Sequence, residues 1–203
     1  IMANASSALQ AAASATGDIP VLGTSVTEYG VALKIDDFSG TVGTNVSGTS
    51  DLAPLDQQAA MIQEWCPEAK TVGLLYCSGE PNSQYQVDTV QEHLEELGYT
   101  CTQYAFSDSN DMAAVTQTAA DNSDVIYVPT DNTVASNASI VDNICRPAKI
   151  PVFTGEQGIC KGCGVATLSI SYYDLGVTTG EMAVKVLKGE ADISQMPIEY
   201  APQ

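Results

Sequence analysis

The run TVGLLY (Thr71–Tyr76) is short and almost continuously apolar, the pattern of a strand buried on both faces of a parallel sheet. A turn-rich segment, SGEPNS (Ser78–Ser83), follows it. Val87, Val90, Leu94 and Leu97 then recur at helical spacing, and Gly98 supplies a stop. The theme repeats downstream. YTCTQYAF alternates like a strand around Thr100–Phe106, and Met112, Val115 and Ala119 mark a helix. DVIYV (Asp124–Val128) is a second buried strand, and PTDN (Pro129–Asn132) leads into a helix ending near Cys145. IPVF (Ile150–Phe153) and GVATLS (Gly164–Ser169) bring this block to about five strands. A final helix from about Tyr173 to Leu187 carries Leu175, Met182 and Val186 on one stripe, with Lys185, Lys188 and Gly189 at its end.

Strand and helix alternating at this interval predict an α/β fold with doubly wound parallel sheets. Upstream, a helix over Asn4–Ala15 followed by the strand IPVLGTSV (Ile19–Val26) shows the same theme. Between the blocks, DDFSGTVGTNVSGTSD (Asp36–Asp51) is polar and rich in Gly, Ser and Thr. It reads as a crossover outside either core. The N-terminal stretch has no basic region or long apolar run, so it is not a signal peptide, and the chain reads as starting within a fold.

The 203 residues suffice for one large domain or two modest lobes. A hydrophobic content of 44 % and a mean hydropathy of +0.02 suit a folded globule. No apolar run approaches the roughly 20 residues of a membrane-spanning helix. Seven Lys and Arg face 25 Asp and Glu, a formal charge of −18. Such a surface repels phosphate backbones, which argues against a nucleic-acid partner.

In an open parallel sheet, ligands settle outside the carboxyl ends of the strands where strand order reverses. The loops expected there are SGEPNS and PTDNT, each preceding a helix whose free N–H groups favour an anion. Asn82, Ser83, Thr130 and Asp131 are therefore candidates to hold a polar ligand, with helix capping as the competing role. Asp131 stands out, because a buried carboxylate in a chain this poor in cations needs a partner, which a ligand ammonium would supply. Glu156, in TGEQG, is a second candidate of that kind.

Catalysis finds little support. The single histidine, His93, lies on a helix among Glu92, Glu95 and Glu96, where a solvated surface role outweighs a general base. Neither a phosphate-binding P-loop nor a G-x-G-x-x-G turn is present, and no cofactor is implied. Six cysteines include CKGC (Cys160–Cys163), which reads as a Gly-flanked loop before a strand. A redox pair belongs at the start of a helix, and a zinc site needs further close ligands. A structural disulfide or free thiols is the preferred reading, with Cys145 a plausible partner, and no metal site is expected.

SDLAPLDQQAAMIQEWCPEAKTVGLLY, SGEPNS, VIYVPTDNTVAS, AKIPVFTGE and GVATLSISYYDLGVTTGEMAVKVLKGEADISQMPIEY together strongly resemble ABC-transporter substrate-binding proteins of the tryptophan/tyrosine type. That resemblance implies a two-lobed, type I periplasmic-binding fold, here with an incomplete first lobe. Residues 1–48 would be part of the first lobe, 49–168 a flavodoxin-like second lobe, and 169–203 a crossover and a helix returning to the first. It also implies an extracytoplasmic, lipid-anchored protein that binds a small solute, an aromatic amino acid, in the cleft between lobes and passes it to an ABC permease. The implied ligand residues are Ser6, Ser7, Thr24, Thr27, Glu80, Asn82, Ser83, Thr130, Asp131, Asn132 and Glu156. Tyr172 and Tyr173 lie beside a crossover, where they either contact ligand or pack the hinge, and packing is the preferred reading. A ligand-sensing receptor domain of the same fold is the alternative.

Overall fold

The computed structural model describes residues 1–200. They form two compact units, one built from Ile1–Leu52 with the described residues from Ile170 onward, the other from Ala53–Ser169.

The first unit begins with β1 (Met2–Asn4), α1 (Ser6–Ala15), β2 (Val21–Val26), α2 (Tyr29–Leu33) and β3 (Val46–Ser50). The second unit then supplies α3 (Leu55–Trp65), β4 (Thr71–Cys77), α4 (Pro81–Glu96), β5 (Thr100–Phe106), α5 (Met112–Asn122) and β6 (Val125–Val128). It continues with α6 (Asn132–Ala148), β7 (Val152–Thr154), α7 (Gln157–Cys163) and β8 (Ala166–Thr167). The chain returns to the first unit with α8 (Tyr172–Leu187), a 3-10 turn at Ile193–Gln195 and β9 (Glu199–Tyr200).

Every strand pairing described is parallel. The first sheet runs β1-β2-β3-β9 and the second β5-β4-β6-β7-β8. In the second sheet β5 and β6 flank β4, so chain order reverses there. Leu74 and Leu75, successive residues of β4 that point to opposite faces, are both fully buried. Parallel strands covered by helices on both faces require that, and the continuous apolar run provides it.

In the first unit, Leu9, Val21, Val26, Tyr29 and Val46 form a core with α1 and α2. A second cluster joins Leu22 to Met182 of α8, Ile193 and Met196. Gly23 and Gly48 are register partners on β2 and β3. A Cβ on either would stand 2.4 Å from the Tyr29 hydroxyl, so the two glycines make the space this buried ring fills. The hydroxyl donates to the Thr49 carbonyl at 3.1 Å.

Two expectations are corrected. The Asp36–Asp51 stretch is not wholly a crossover, because its end is β3, an interior strand buried at all five positions. Nor is CKGC a loop. It is the second half of α7, whose start is held by the Glu156 side chain accepting from the N–H groups of Gly158 and Ile159.

Candidate functional site

Ligand-competent groups belong at the carboxyl ends of parallel strands, and each unit presents such a rim. On the second unit, the loops leaving β4 and β6 meet where strand order reverses. Asp131, only 1 % exposed, sits at their junction. One carboxylate oxygen accepts from the Cys77 N–H at 2.8 Å and the Ser83 hydroxyl at 2.8 Å, and the other accepts from the Val134 N–H at 2.9 Å. Asn82 donates its amide to the Thr130 carbonyl at 3.1 Å. Gln86, which the sequence pattern did not single out, accepts from the Thr130 N–H at 3.1 Å and donates to the Asn82 carbonyl at 3.0 Å. Its glutamine amide on the buried side of α4 is a signal visible only once the helix phase is known.

Glu80 reaches across to the start of α6. It accepts from the N–H and side-chain amide of Asn132, both at 2.9 Å, and from the N–H and hydroxyl of Thr133, both at 2.8 Å. Burial pushes the Glu80 carboxyl up, but these donors outweigh it and hold the group below its ordinary value. Burial first, and the Glu80 charge second, push Asp131 up against the pull of its own three donors.

The expectation that the buried Asp131 charge needs a partner is met in part within the chain itself. Two backbone N–H groups and a hydroxyl already solvate it, which sequence reasoning could not count. Glu156 is likewise committed to the start of α7 and lies outside the Glu80–Asp131 cluster. Among the sequence-derived candidates, Glu80, Asn82, Ser83, Thr130, Asp131 and Asn132 are brought together by direct hydrogen bonds.

On the first unit, Ser6 and Ser7 open α1 at the end of β1, and the Ala5 N–H donates to the Thr24 carbonyl at 3.0 Å. Ser6 is buried and Ser7 exposed. Ala5 is the N-cap residue, so no side chain caps this helix, and its φ is +70°. Ser25, next to Thr24, is also left-handed at +55°. Two non-glycine residues in that region at one rim are local strain, which folds retain most often at functional sites. Thr27 is buried and accepts through its carbonyl from the Ser50 hydroxyl at 2.8 Å. Asp51, a buried acid at the end of β3 that the sequence reading passed over, accepts from the Tyr172 hydroxyl at 3.1 Å. Tyr173, expected to pack the crossover, is 81 % exposed instead.

The helix starts fall into two groups. Side chains cap α2, α6, α7 and α8, through Glu28, Asp131, Glu156 and Ser171. No side chain caps α1, α3, α4 or α5. An anion offered to this protein meets open N–H groups at α1 but a resident carboxylate at α6 and α7. His93 lies on α4 with Nδ1 3.9 Å from Glu96, away from these rim residues in sequence. Among the described residues no group of three or more His, Cys, Asp or Glu is arranged to hold a metal ion.

Comparison with known proteins agrees with this architecture. The family model described as ABC transporter substrate binding protein matches residues 1–201. A tyrosine-binding protein of Clostridioides difficile (strain R20291) is 33 % identical over 192 residues, 93 % of this chain and 54 % of that protein. The chain thus spans about half the length of that relative. Among solved structures, an ABC domain from Streptococcus pneumoniae in complex with L-Trp superposes with a TM-score of 0.92 at 35 % identity, covering 98 % of this chain and 68 % of that one. The ligand-free, open structure of a substrate-binding protein with adhesive properties from Clostridium difficile gives a TM-score of 0.72 at 39 % identity, covering 99 % and 68 %.

Proposed function

Because this chain belongs to the ABC transporter substrate-binding protein family, we propose that it captures an aromatic amino acid outside the cytoplasm and hands it to a membrane permease for import. It binds and releases the solute without altering it. The observation that carries this reading is the open start of α1. Ser6 and Ser7 stand there with unpaired helical N–H groups and no capping side chain, beside the strained Ser25. A ligand carboxylate fits that place as a surrogate cap. Two relatives, a tyrosine-binding protein and a domain complexed with L-Trp, support the choice of solute class.

In this reading Ser6, Ser7, Thr24 and Thr27 supply polar contacts from the first unit. Among the candidates on the rim of the second unit, Thr130 and Asn132 are the more accessible groups. Glu80, Asn82, Ser83, Asp131 and Glu156 act as positioning residues, since their polar atoms hold helix starts and loops in place.

Thermal unfolding measured against rising L-tryptophan or L-tyrosine tests the proposal. A ligand at about 100 times its Kd adds about 2.7 kcal/mol to the folded state, so the melting temperature should climb by several degrees. No shift with either amino acid would sink the aromatic reading. Ser7→Asp plants a carboxylate at the exposed position of the open helix start, and should remove the shift while leaving the melting temperature of the unliganded protein near its starting value. Import is tested separately, by uptake of labelled amino acid in cells with and without the gene.

A further inference from the structure

Solute binding leaves the cysteines of α6 and α7 without a role. The two helices lie close where Gly162 faces Ala138. A Cβ built on Gly162 would stand 2.5 Å from the Ala138 Cβ, so a larger residue would push α7 away. Nearby is a cavity of about 540 Å³ whose lining includes Asp142, Cys145, Lys149, Val152 and Cys163. Cys145 and Cys163 therefore open onto one space from two packed helices, inside one apolar cluster. Cys160 lies one turn earlier on α7 and is half-buried. All six cysteines of the chain are free thiols in this structure.

We propose that Cys145 and Cys163 are a disulfide-forming pair, closed by exchange with a small external disulfide that reaches them through this cavity. One protein thiolate attacks the reagent's S–S bond, forming a mixed disulfide and releasing one reagent thiol. The second protein thiolate then displaces the other reagent thiol, and the Cys145–Cys163 bond forms. The protein gives up two electrons and the protons of its two thiols. The reagent takes both and leaves as two thiols, so the exchange balances.

The bond would tie the later part of α6 to the end of α7. Both helices are held at their other ends by the caps Asp131 and Glu156, so the staple sits away from the rim and acts on stability. The chemistry of the pair fits a structural link better than a redox catalyst. Burial, with Asp142 adding to it, pushes the Cys145 thiol up to about 11. Burial, then the neighbouring Cys145, pushes Cys163 up to about 12. A catalyst's attacking thiol is shifted the other way. Closure should accordingly be slow at neutral pH and speed up roughly tenfold per pH unit towards alkaline conditions.

The test treats the folded chain with oxidised glutathione at about pH 9, where the thiolates begin to appear. Remaining thiols are then alkylated and the protein digested with trypsin and Asp-N. Cleavage before Asp142 and after Lys149 and Lys161 puts Cys145, Cys160 and Cys163 on three different peptides. The expected product links the Cys145 and Cys163 peptides, raises the melting temperature by several degrees, and reverts with dithiothreitol. Cys160→Ser should keep both effects, while Cys145→Ser and Cys163→Ser should each lose them. A Cys160–Cys163 link, glutathione adducts without a protein bridge, or full alkylation of both thiols would overturn the proposal. Because the readout needs no amino-acid ligand, it succeeds or fails independently of the solute-binding reading.

Discussion

Glu80 and Asp131 show how one pair of carboxylates can be pushed in opposite directions by the same loop. Four donors from Asn132 and Thr133 favour the charged form of Glu80, and its folded value lies below the ordinary 4.5. A carboxyl lowered on folding adds stability that is present above 4.5 and is lost as pH falls through the lower folded value. Asp131 is raised by burial, so its contribution has the reverse sign, full below its unfolded value and lost as pH rises through the folded one. Replacing Glu80→Gln removes the first term and the charge that helps raise Asp131. The fall in melting temperature on acidification should then become shallower below about pH 4.5, measured by circular dichroism across a pH series. A variant whose acid limb is as steep as that of the parent would show that these four hydrogen bonds do not select the ionised carboxylate.

At the scale of elements, β3 is the instructive case. Its sequence, Val46–Ser50, carries small and hydroxylated residues, so no apolar run announces it, yet it lies inside the first sheet. Its hydroxyls are satisfied over long distances in sequence. Ser47 donates to the Met196 carbonyl at 3.0 Å, and Thr49 and Thr179 share a hydrogen bond of 2.8 Å. Partners more than a hundred residues away leave no local trace, whereas TVGLLY could be read directly because its burial is apolar. The same holds at the candidate site. The meeting of the β4 and β6 loops followed from the strand-reversal rule, but the donors that satisfy Asp131 include backbone N–H groups that no composition reveals. α7 was obscured for a related reason, since its start depends on Glu156 and its end on Gly162, which accommodates α6. Within β3, Gly48 has φ +146°, and an added Cβ would meet the Gly23 carbonyl at 2.0 Å and the Tyr29 hydroxyl at 2.4 Å. Gly48→Ala should cost about 3 kcal/mol through strain and overpacking, read as a lowered urea midpoint. Unchanged stability would mean that β2 and β3 can separate at little cost.

At the scale of the molecule, the two units differ in how the chain builds them. Ala53–Ser169 is one continuous stretch holding a complete five-stranded sheet and its own cluster of buried side chains. The other unit needs both ends of the sequence, because Leu22 of β2 packs against Met182, Ile193 and Met196. A fragment of residues 53–169 should therefore unfold cooperatively on heating by itself, followed by circular dichroism. Deleting residues 170–203 should abolish the folding of the first unit while that of the second survives, a difference visible as protected and unprotected amides in hydrogen exchange. Loss of protection throughout the second unit would contradict this independence.

The chain passes between the units twice, near Leu52 and near Ser169, with the whole of one unit spelled out between those passages. Genetically, that makes the central segment a cassette with two fixed joints. Recombination at the joints could exchange it between homologous genes without cutting any strand of either sheet. Rims on the two units could then diversify on separate evolutionary clocks.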